Sequence, residues 1–239
     1  MAQHVTIGTA QRPGTKSPCA DAYGVVRTGT RVTATVVDGA GHKPETVRFV
    51  QAAAETITLL GPDVGGLAAL VTAGRMARAF PEPRPHASAL CVRTLPGLPV
   101  LVHWIGDCTV HGWDGAELLP YSTPQTWGEY LRTYGKMPVE VGARYDDWPR
   151  FGLAQALETT CREAEIPERV RLVMLCTDGV SGQVDPARWR QLCAEHENDP
   201  QALADALVAA AAPDAEGYRD DATVVVLRIV PDPAAHPSG

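Results

Sequence analysis

Hydrophobic residues form short runs along the chain that are rich in β-branched side chains and end at Gly, Pro or Asp. Such runs predict β-strands. Between them, apolar residues recur every three or four positions over 45–60, and Ala/Leu-rich stretches cover 65–79, 151–164 and 186–212, which predicts helices. The predicted strands cover residues 5–7, 23–28, 31–37, 88–94, 100–106, 108–115, 171–177 and 222–230.

The order of these elements indicates the fold class. Three predicted strands between residues 88 and 115 follow one another after short breaks, which favours an antiparallel meander over the crossovers of a parallel sheet. The pairs Thr123-Pro124, Asp185-Pro186 and Asp199-Pro200 each place a capping side chain before a proline and predict helix starts. We therefore expect an α+β fold in which two antiparallel sheets stack and helices cover their outer faces.

Composition excludes several classes of protein. The 239 residues carry 21 Lys+Arg against 28 Asp+Glu, a net charge of −7 with no basic cluster, so we expect no nucleic-acid partner. No apolar run is long enough to span a membrane and no signal peptide is visible, so we expect a cytoplasmic monomer without a membrane partner. The six cysteines lack CxxC spacing and are interpreted as reduced thiols. A single domain is expected over 1–230, followed by a flexible tail, 231–239.

Four aspartates, Asp21, Asp38, Asp178 and Asp220, stand at or beside the ends of predicted strands. Asp38 and Asp178 each precede a glycine, and an Asp-Gly pair after a strand is most often only a turn. However, carboxylates that meet at one edge of stacked sheets repel each other unless a cation holds them. Ligands that are all oxygen atoms favour Mg²⁺ or Mn²⁺ over zinc.

Four segments stand out along the chain, VVDGAGH (36–42), WIGDCTVHGWDG (104–115), LCTDGVSG (175–182) and RDDATVVVLRI (219–229), and a fifth, KSPCADAYG (16–24), precedes them. The four resemble, in the same order, the motifs of the PPM/PP2C-type metal-dependent Ser/Thr protein phosphatases, and the fifth is similar to that family's first motif. The resemblance implies a four-layer α-β-β-α sandwich with a two-metal centre. It also implies hydrolysis of phosphoserine and phosphothreonine in proteins by a water that the metals activate.

The resemblance also implies a role for each matching residue. Asp38, Asp178 and Asp220 would be the catalytic carboxylates, with Asp38 bridging two Mn²⁺ or Mg²⁺ ions and the other two completing the first site. Gly39 would ligate a metal through its carbonyl, and Asp21 would contact the second ion through water. Asp107 would hold a possible third ion together with Asp178, and Lys16 would bind the substrate phosphate.

The chain departs from the family pattern at several positions. Ala20 replaces the first member of an acidic pair, Lys16 replaces a phosphate-binding arginine, and Asp221 replaces an asparagine. These changes leave a second hypothesis open, that of a catalytically weak or inactive PP2C-like module that binds a signalling partner. A phosphatase for a small phosphorylated metabolite is a third hypothesis. The segment 119–150 lies where the family carries a variable flap, so we expect it to influence substrate choice.

Overall fold

The computed structural model describes residues 3–231, and these residues contain ten β-strands. Every pairing between strands is antiparallel. In chain order the strands are β1 (Gln3–Arg12), β2 (Asp21–Thr28), β3 (Arg31–Gly39), β4 (Ala87–Thr94), β5 (Val100–Ile105), β6 (Thr109–Trp113), β7 (Leu118–Pro120), β8 (Arg162–Ile166), β9 (Leu172–Cys176) and β10 (Ala222–Pro231).

Two five-stranded sheets stack against each other. The first has the order β1-β10-β9-β6-β7, and the second has the order β2-β3-β4-β5-β8. Valine, leucine and isoleucine side chains from both sheets form the central core, for example Val36 and Leu90 from the second sheet against Val225 and Leu175 from the first. Burial on both faces explains why β3 and β10 are almost continuously apolar in sequence.

Helices cover the outer faces of both sheets. In chain order the helices of residues 3–231 are α1 (Pro44–Val64), α2 (Gly66–Met76), α3 (Trp127–Thr133), α4 (Val139–Ala143), α5 (Asp178–Ser181), α6 (Pro186–Glu195) and α7 (Pro200–Ala210). The apolar faces of α1 and α2 pack on the second sheet, and those of α6 and α7 pack on the first. The four layers are therefore α-β-β-α, and the fold class expected from the sequence is confirmed.

Several local predictions are wrong. The run 88–115 is not a three-stranded meander, because β4 and β5 pair in the second sheet whereas β6 crosses to the first and pairs with β7 and β9. The predicted helix 151–164 is instead a short 3₁₀ turn, Leu153–Gln155, followed by the edge strand β8. No helix begins after Thr123; α3 starts at Trp127, where the side chain of Thr126 accepts a hydrogen bond from the Glu129 N–H.

Other predictions agree with the structure where it can be compared. Asp185 and Asp199 cap α6 and α7, and each helix has a proline at its first position. The six cysteines are free thiols, and all but Cys19 are buried. The predicted tail, 231–239, lies outside the described residues apart from Pro231, which ends β10. Within residues 3–231, every helix is too short or too polar to cross a membrane.

Candidate functional site

The ends of strands from both sheets meet at one cleft of about 220 Å³. Asp38 lies at the end of β3, opposite Asp21 on β2 and Ser88 on β4. Asp178 is the first residue of α5, directly after β9, and Asp220 precedes β10. The residues lining the cleft are Lys16, Asp38, Gly39, Ala40, Gly41, His42, His86, Ser88, Asp107, Asp147, Pro149, Asp178, Tyr218 and Asp220.

Asp107 reaches the cleft from the connection between the two sheets. Gly106 adopts a φ of +91°, and a Cβ atom there would lie 2.0 Å from the Ser88 Oγ, so only glycine fits. The Ser88 hydroxyl oxygen accepts a hydrogen bond from the Asp107 N–H at 3.1 Å, and the Gln125 side-chain oxygen accepts one from the Gly106 N–H at 2.9 Å. These contacts fix the turn through which the chain passes from β5 to β6.

Asp21 lies behind the cleft and does not line it. Its carboxylate is 7% exposed and accepts a hydrogen bond from the Thr177 hydroxyl at 2.8 Å. The same hydroxyl oxygen accepts a hydrogen bond from the Thr223 N–H at 3.0 Å, so Asp21 is tied to both β9 and β10. Its distance from the open cleft is compatible with the indirect, water-mediated role that the family resemblance implies.

The carboxylates are close enough to oppose each other's ionisation. Burial raises the pKa of Asp38 well above its usual range, and the charges of Asp178, Asp21 and Asp107 raise it further. The pKa of Asp178 is raised by burial first and then by the charge of Asp107. Burial likewise raises the pKa of Asp107. The carboxylates of the cleft therefore repel one another when ionised, and at neutral pH a proton or a bound cation must offset part of their negative charge.

The donor set fits a hard divalent cation in its chemistry. Asp38, Asp107, Asp178 and Asp220 supply only oxygen atoms, and a positive charge among them would relieve the repulsion that adds to the effect of burial on the pKa values of Asp38 and Asp178. Over residues 3–231, no group of three or more His, Cys, Asp or Glu side chains is arranged as a metal site. Gly39 has no room for a side chain, since a Cβ atom would lie 2.7 Å from the Ala20 carbonyl oxygen.

Tyr218 contacts both Asp220 and Lys16 in the cleft, and the sequence did not predict its role. Its hydroxyl donates to the Asp220 Oδ1 at 3.0 Å. The Lys16 ammonium lies 4.9 Å from the centre of the same ring, within the range of a cation–π interaction. Lys16 has no carboxylate within 4.0 Å among the described residues, so its charge is available to an anion in the cleft.

Asp221 has a structural role, although it differs from the family's asparagine. Its carboxylate is 3% exposed and accepts hydrogen bonds from the Gly14 N–H at 2.6 Å and the Ala20 N–H at 2.7 Å. The His42 Nδ1 lies 3.6 Å away. Asp221 thereby holds the loop that carries Lys16 and Ala20 against the start of β10. Ala20 itself is buried and contributes no carboxylate to the cleft.

The structure thus brings most of the predicted site residues to one cleft. Lys16, Gly39, Asp107 and the three aspartates proposed as catalytic all line it, and only Asp21 lies behind it. Five other polar residues line the cleft and had no role assigned from the sequence; they are His42, His86, Ser88, Asp147 and Tyr218. His42 ends the motif VVDGAGH and Ser88 begins the predicted strand 88–94, so the sequence carries a signal for these two, whereas no local pattern marks the other three.

Comparison with known proteins supports this fold. Residues 140–230 match the family model described as Stage II sporulation protein E (SpoIIE). No curated protein sequence matches the chain. Among solved structures, a bacterial serine phosphatase superposes with a TM-score of 0.76 at 14% identity, covering 96% of this chain and 99% of that one.

Two further structures come from related phosphatases. The PPM Ser-Thr phosphatase MsPP from Mycobacterium smegmatis, in complex with cacodylate, has a TM-score of 0.73 at 20% identity and covers 93% of this chain and 97% of its own. The catalytic domain of the serine threonine protein phosphatase PstP, in complex with two manganese ions, has a TM-score of 0.71 at 19% identity, with 96% and 100% covered. The chain therefore has the fold of the PPM/PP2C-type phosphatases, as its motifs indicated, and its residues 140–230 are similar to the SpoIIE family model.

Proposed function

We propose that this protein is a metal-dependent phosphoprotein phosphatase that hydrolyses phosphoserine and phosphothreonine. The observation that carries the proposal is the convergence of Asp38, Asp178 and Asp220 with Lys16 on one cleft of a PPM-type fold. Solved proteins of this fold are described as serine/threonine phosphatases, and one of them holds two manganese ions.

The proposed roles are those that the family resemblance implies, and they agree with the residues' places in the cleft. Asp38, Asp178, Asp220 and the Gly39 carbonyl would hold two Mn²⁺ or Mg²⁺ ions, with Asp38 shared by both and Asp178 and Asp220 at the first. Asp21 would act on the second site through water, and Asp107 with Asp178 offers oxygen atoms for a third ion. When bound, such ions supply charge that acidifies water and neutralises a phosphoryl group.

The chain's own residues would bind and orient the substrate. The Lys16 ammonium, held over the Tyr218 ring, would contact the phosphate as a point charge. Tyr218 would keep the Asp220 carboxylate in one orientation through its hydroxyl. We assign no general acid, since Ala40 occupies the position of the histidine found in some relatives and the His42 Nδ1 lies 2.9 Å from the Pro18 carbonyl oxygen.

The test is hydrolysis of p-nitrophenyl phosphate and of a phosphothreonine peptide with Mn²⁺, Mg²⁺ or EDTA. Asp38→Asn should lower kcat by at least about a hundredfold, because it removes the charge that both metal sites share. Asp63→Asn, the same charge change at an exposed position on α1, is the matched control and should retain the wild-type rate. Turnover that persists in EDTA, or an Asp38→Asn variant as active as the control, would contradict the proposal.

A second candidate is a weak or inactive module that binds a partner. Ala20 favours it, because this buried position lacks the carboxylate that the family uses at the second metal. Titration calorimetry with Mn²⁺ separates the two candidates. Metal binding without turnover on any phosphopeptide would favour the module, whereas turnover that rises with occupancy would favour the enzyme.

A further inference from the structure

A second pocket, of about 290 Å³, lies beside the acidic cleft, and we name it the arginine pocket. One short segment lines both sites, since Asp147 and Pro149 face the cleft whereas Arg150 faces the pocket. Gln125 on the pocket wall accepts a hydrogen bond from the Gly106 N–H, next to Asp107 of the cleft. The residues lining the arginine pocket are Trp104, Thr123, Pro124, Gln125, Thr126, Glu129, Tyr130, Thr133, Tyr134, Arg150 and Arg162.

Aromatic residues lie next to the two arginines of this pocket, Arg150 and Arg162. The Arg150 guanidinium lies 4.4 Å from the centre of the Tyr130 ring and 4.3 Å from that of Phe151. Such stacking occupies the faces of the guanidinium and leaves its edge free for hydrogen bonds. Arg162 on β8 lies directly opposite Trp104 on β5, whose indole ring forms part of the wall.

Both arginines are without anionic partners. Among residues 3–231, neither Arg150 nor Arg162 has a carboxylate within 4.0 Å, and neither guanidinium donates a hydrogen bond. The Arg150 Nε is buried and unpaired within that range. Glu129, the one acid that lines the pocket, already binds the Arg132 guanidinium at 3.4 Å and accepts a hydrogen bond from the Thr133 hydroxyl at 2.7 Å.

The pocket is therefore positively charged on a protein whose net charge is −7. Unpaired guanidinium edges bind carboxylates in a bidentate manner. Exposed rings beside the pocket, Trp127 and Tyr134, add apolar surface that a polypeptide can cover. The segment 147–150 contributes residues to both the pocket and the cleft, so the two sites are close enough for one bound polypeptide to contact both.

We propose that the arginine pocket binds glutamate or aspartate side chains of the substrate polypeptide that flank its phosphorylated residue. The inference rests on the proposed function, because it assigns the pocket to the substrate of the neighbouring cleft. Arg150 and Arg162 supply the charge; the Tyr130 ring stacks on the Arg150 guanidinium, and the pairing of β5 with β8 places Arg162 opposite Trp104.

The first experiment uses phosphothreonine peptides in which a run of glutamates lies either before or after the phosphothreonine. Each is compared with a matched peptide in which glutamines replace the glutamates. We expect the wild-type kcat/KM to favour one acidic peptide by about tenfold, since hydrogen bonds to charged groups are worth that much. Arg162→Gln and Arg150→Gln should remove this preference through KM, with hydrolysis of p-nitrophenyl phosphate unchanged. Arg144→Gln is the control, because Arg144 is exposed in the segment 119–150 but lies outside the pocket; this variant should keep the preference for the acidic peptide.

The second experiment does not depend on turnover. Fluorescence anisotropy without added metal measures binding of the unphosphorylated glutamate and glutamine peptides, and circular dichroism verifies that each variant is folded. We expect binding of the glutamate peptide to be retained in Asp38→Asn and lost in Arg162→Gln. This result would hold even if the proposed phosphatase activity failed.

Three outcomes would overturn the inference. If the wild-type protein bound and hydrolysed the glutamate and glutamine peptides equally, it would not recognise acidic flanking residues at all. Folded Arg150→Gln and Arg162→Gln variants that keep the full acidic preference would place the recognition elsewhere. Binding of inorganic phosphate that is lost in Arg162→Gln, with neither peptide bound, would assign the pocket to a small anion instead.

Discussion

At the scale of single residues, Tyr218 shows how one side chain can serve two functions. Its hydroxyl orients Asp220, and its ring supports Lys16. Groups that hydrogen-bond to metal-ligating carboxylates typically change metal affinity 10–100-fold when they are removed. Tyr218 therefore acts on the proposed chemistry through its neighbours and is a positioning residue.

Two substitutions separate these functions. Tyr218→Phe keeps the ring and should weaken Mn²⁺ affinity by about tenfold, with little change in the KM for phosphopeptide at saturating metal. Tyr218→Leu should also raise that KM, because Lys16 loses its aromatic support. Calorimetry and steady-state kinetics measure the two effects, and Tyr23→Phe, an exposed tyrosine on β2, is the control. An unchanged Mn²⁺ affinity in Tyr218→Phe would show that the hydroxyl does not orient Asp220.

The sequence was sufficient to predict that Asp38 and Asp178 line the cleft, but it was not sufficient to predict that Tyr218 does. Asp38 and Asp178 each follow a buried strand and precede a glycine, so the local pattern marks them. Tyr218 follows Gly217, at a φ of +81°, in a turn whose position depends on the packing of β10 against β1 and β9. No local pattern specifies that its hydroxyl reaches Asp220 or that its ring meets Lys16.

At the scale of elements, the strands with continuous apolar runs were the most predictable. The errors fall at β6, β7 and β8, which lie at or near the edges of the sheets. Strand β8 reads REAEI, and its alternating charged residues on an edge resemble an exposed helix as much as a strand. The crossing of β6 to the other sheet depends on Gly106 and Ser88, a long-range contact that periodicity does not encode.

The packing of β6 against α6 predicts a pH dependence of stability. The His111 ring lies 4.6 Å from the Trp189 ring, and burial lowers the pKa of His111 to about 4. The unfolded chain binds a proton at a higher pH, near 6.5, so this group favours unfolding as the pH falls from about 6.5 to 4. Its contribution is fully favourable above that window.

His111→Phe tests this, because phenylalanine keeps the ring and cannot be protonated. Between pH 7 and pH 4.5, the free energy of unfolding of the wild type should fall by about 2 kcal/mol more than that of the variant. Urea unfolding at several pH values measures this difference, in which the contributions of the aspartates cancel. Parallel pH profiles for the two proteins would show that His111 does not titrate differently on folding.

At the scale of the whole molecule, stacking the sheets places Asp38, Asp107 and Asp178 together at one end, and this arrangement opposes folding. Burial raises the pKa of each of the three, and neighbouring carboxylates add to this, with Asp178 and Asp107 acting on Asp38 and Asp107 acting on Asp178. The two-layer core provides the stability that offsets this repulsion, with apolar side chains from both sheets and from the covering helices. The same repulsion would make the fold responsive to cations.

Thermal unfolding can detect the repulsion among the aspartates, and its relief by a cation, without any substrate. In EDTA at neutral pH, Asp178→Asn should raise the Tm by a few degrees, because it removes one of the repelling carboxylates of the cleft and keeps the shape of the side chain. With Mn²⁺ at about a hundredfold over its Kd, the wild type should gain roughly 2.7 kcal/mol, or about 5–10 °C, and Asp178→Asn should gain much less. Asp63→Asn, exposed on α1, should behave as the wild type in both conditions. If Mn²⁺ shifted all three proteins equally, the cleft would not be the site where the cation binds, and the metal-dependent mechanism would lose its physical basis.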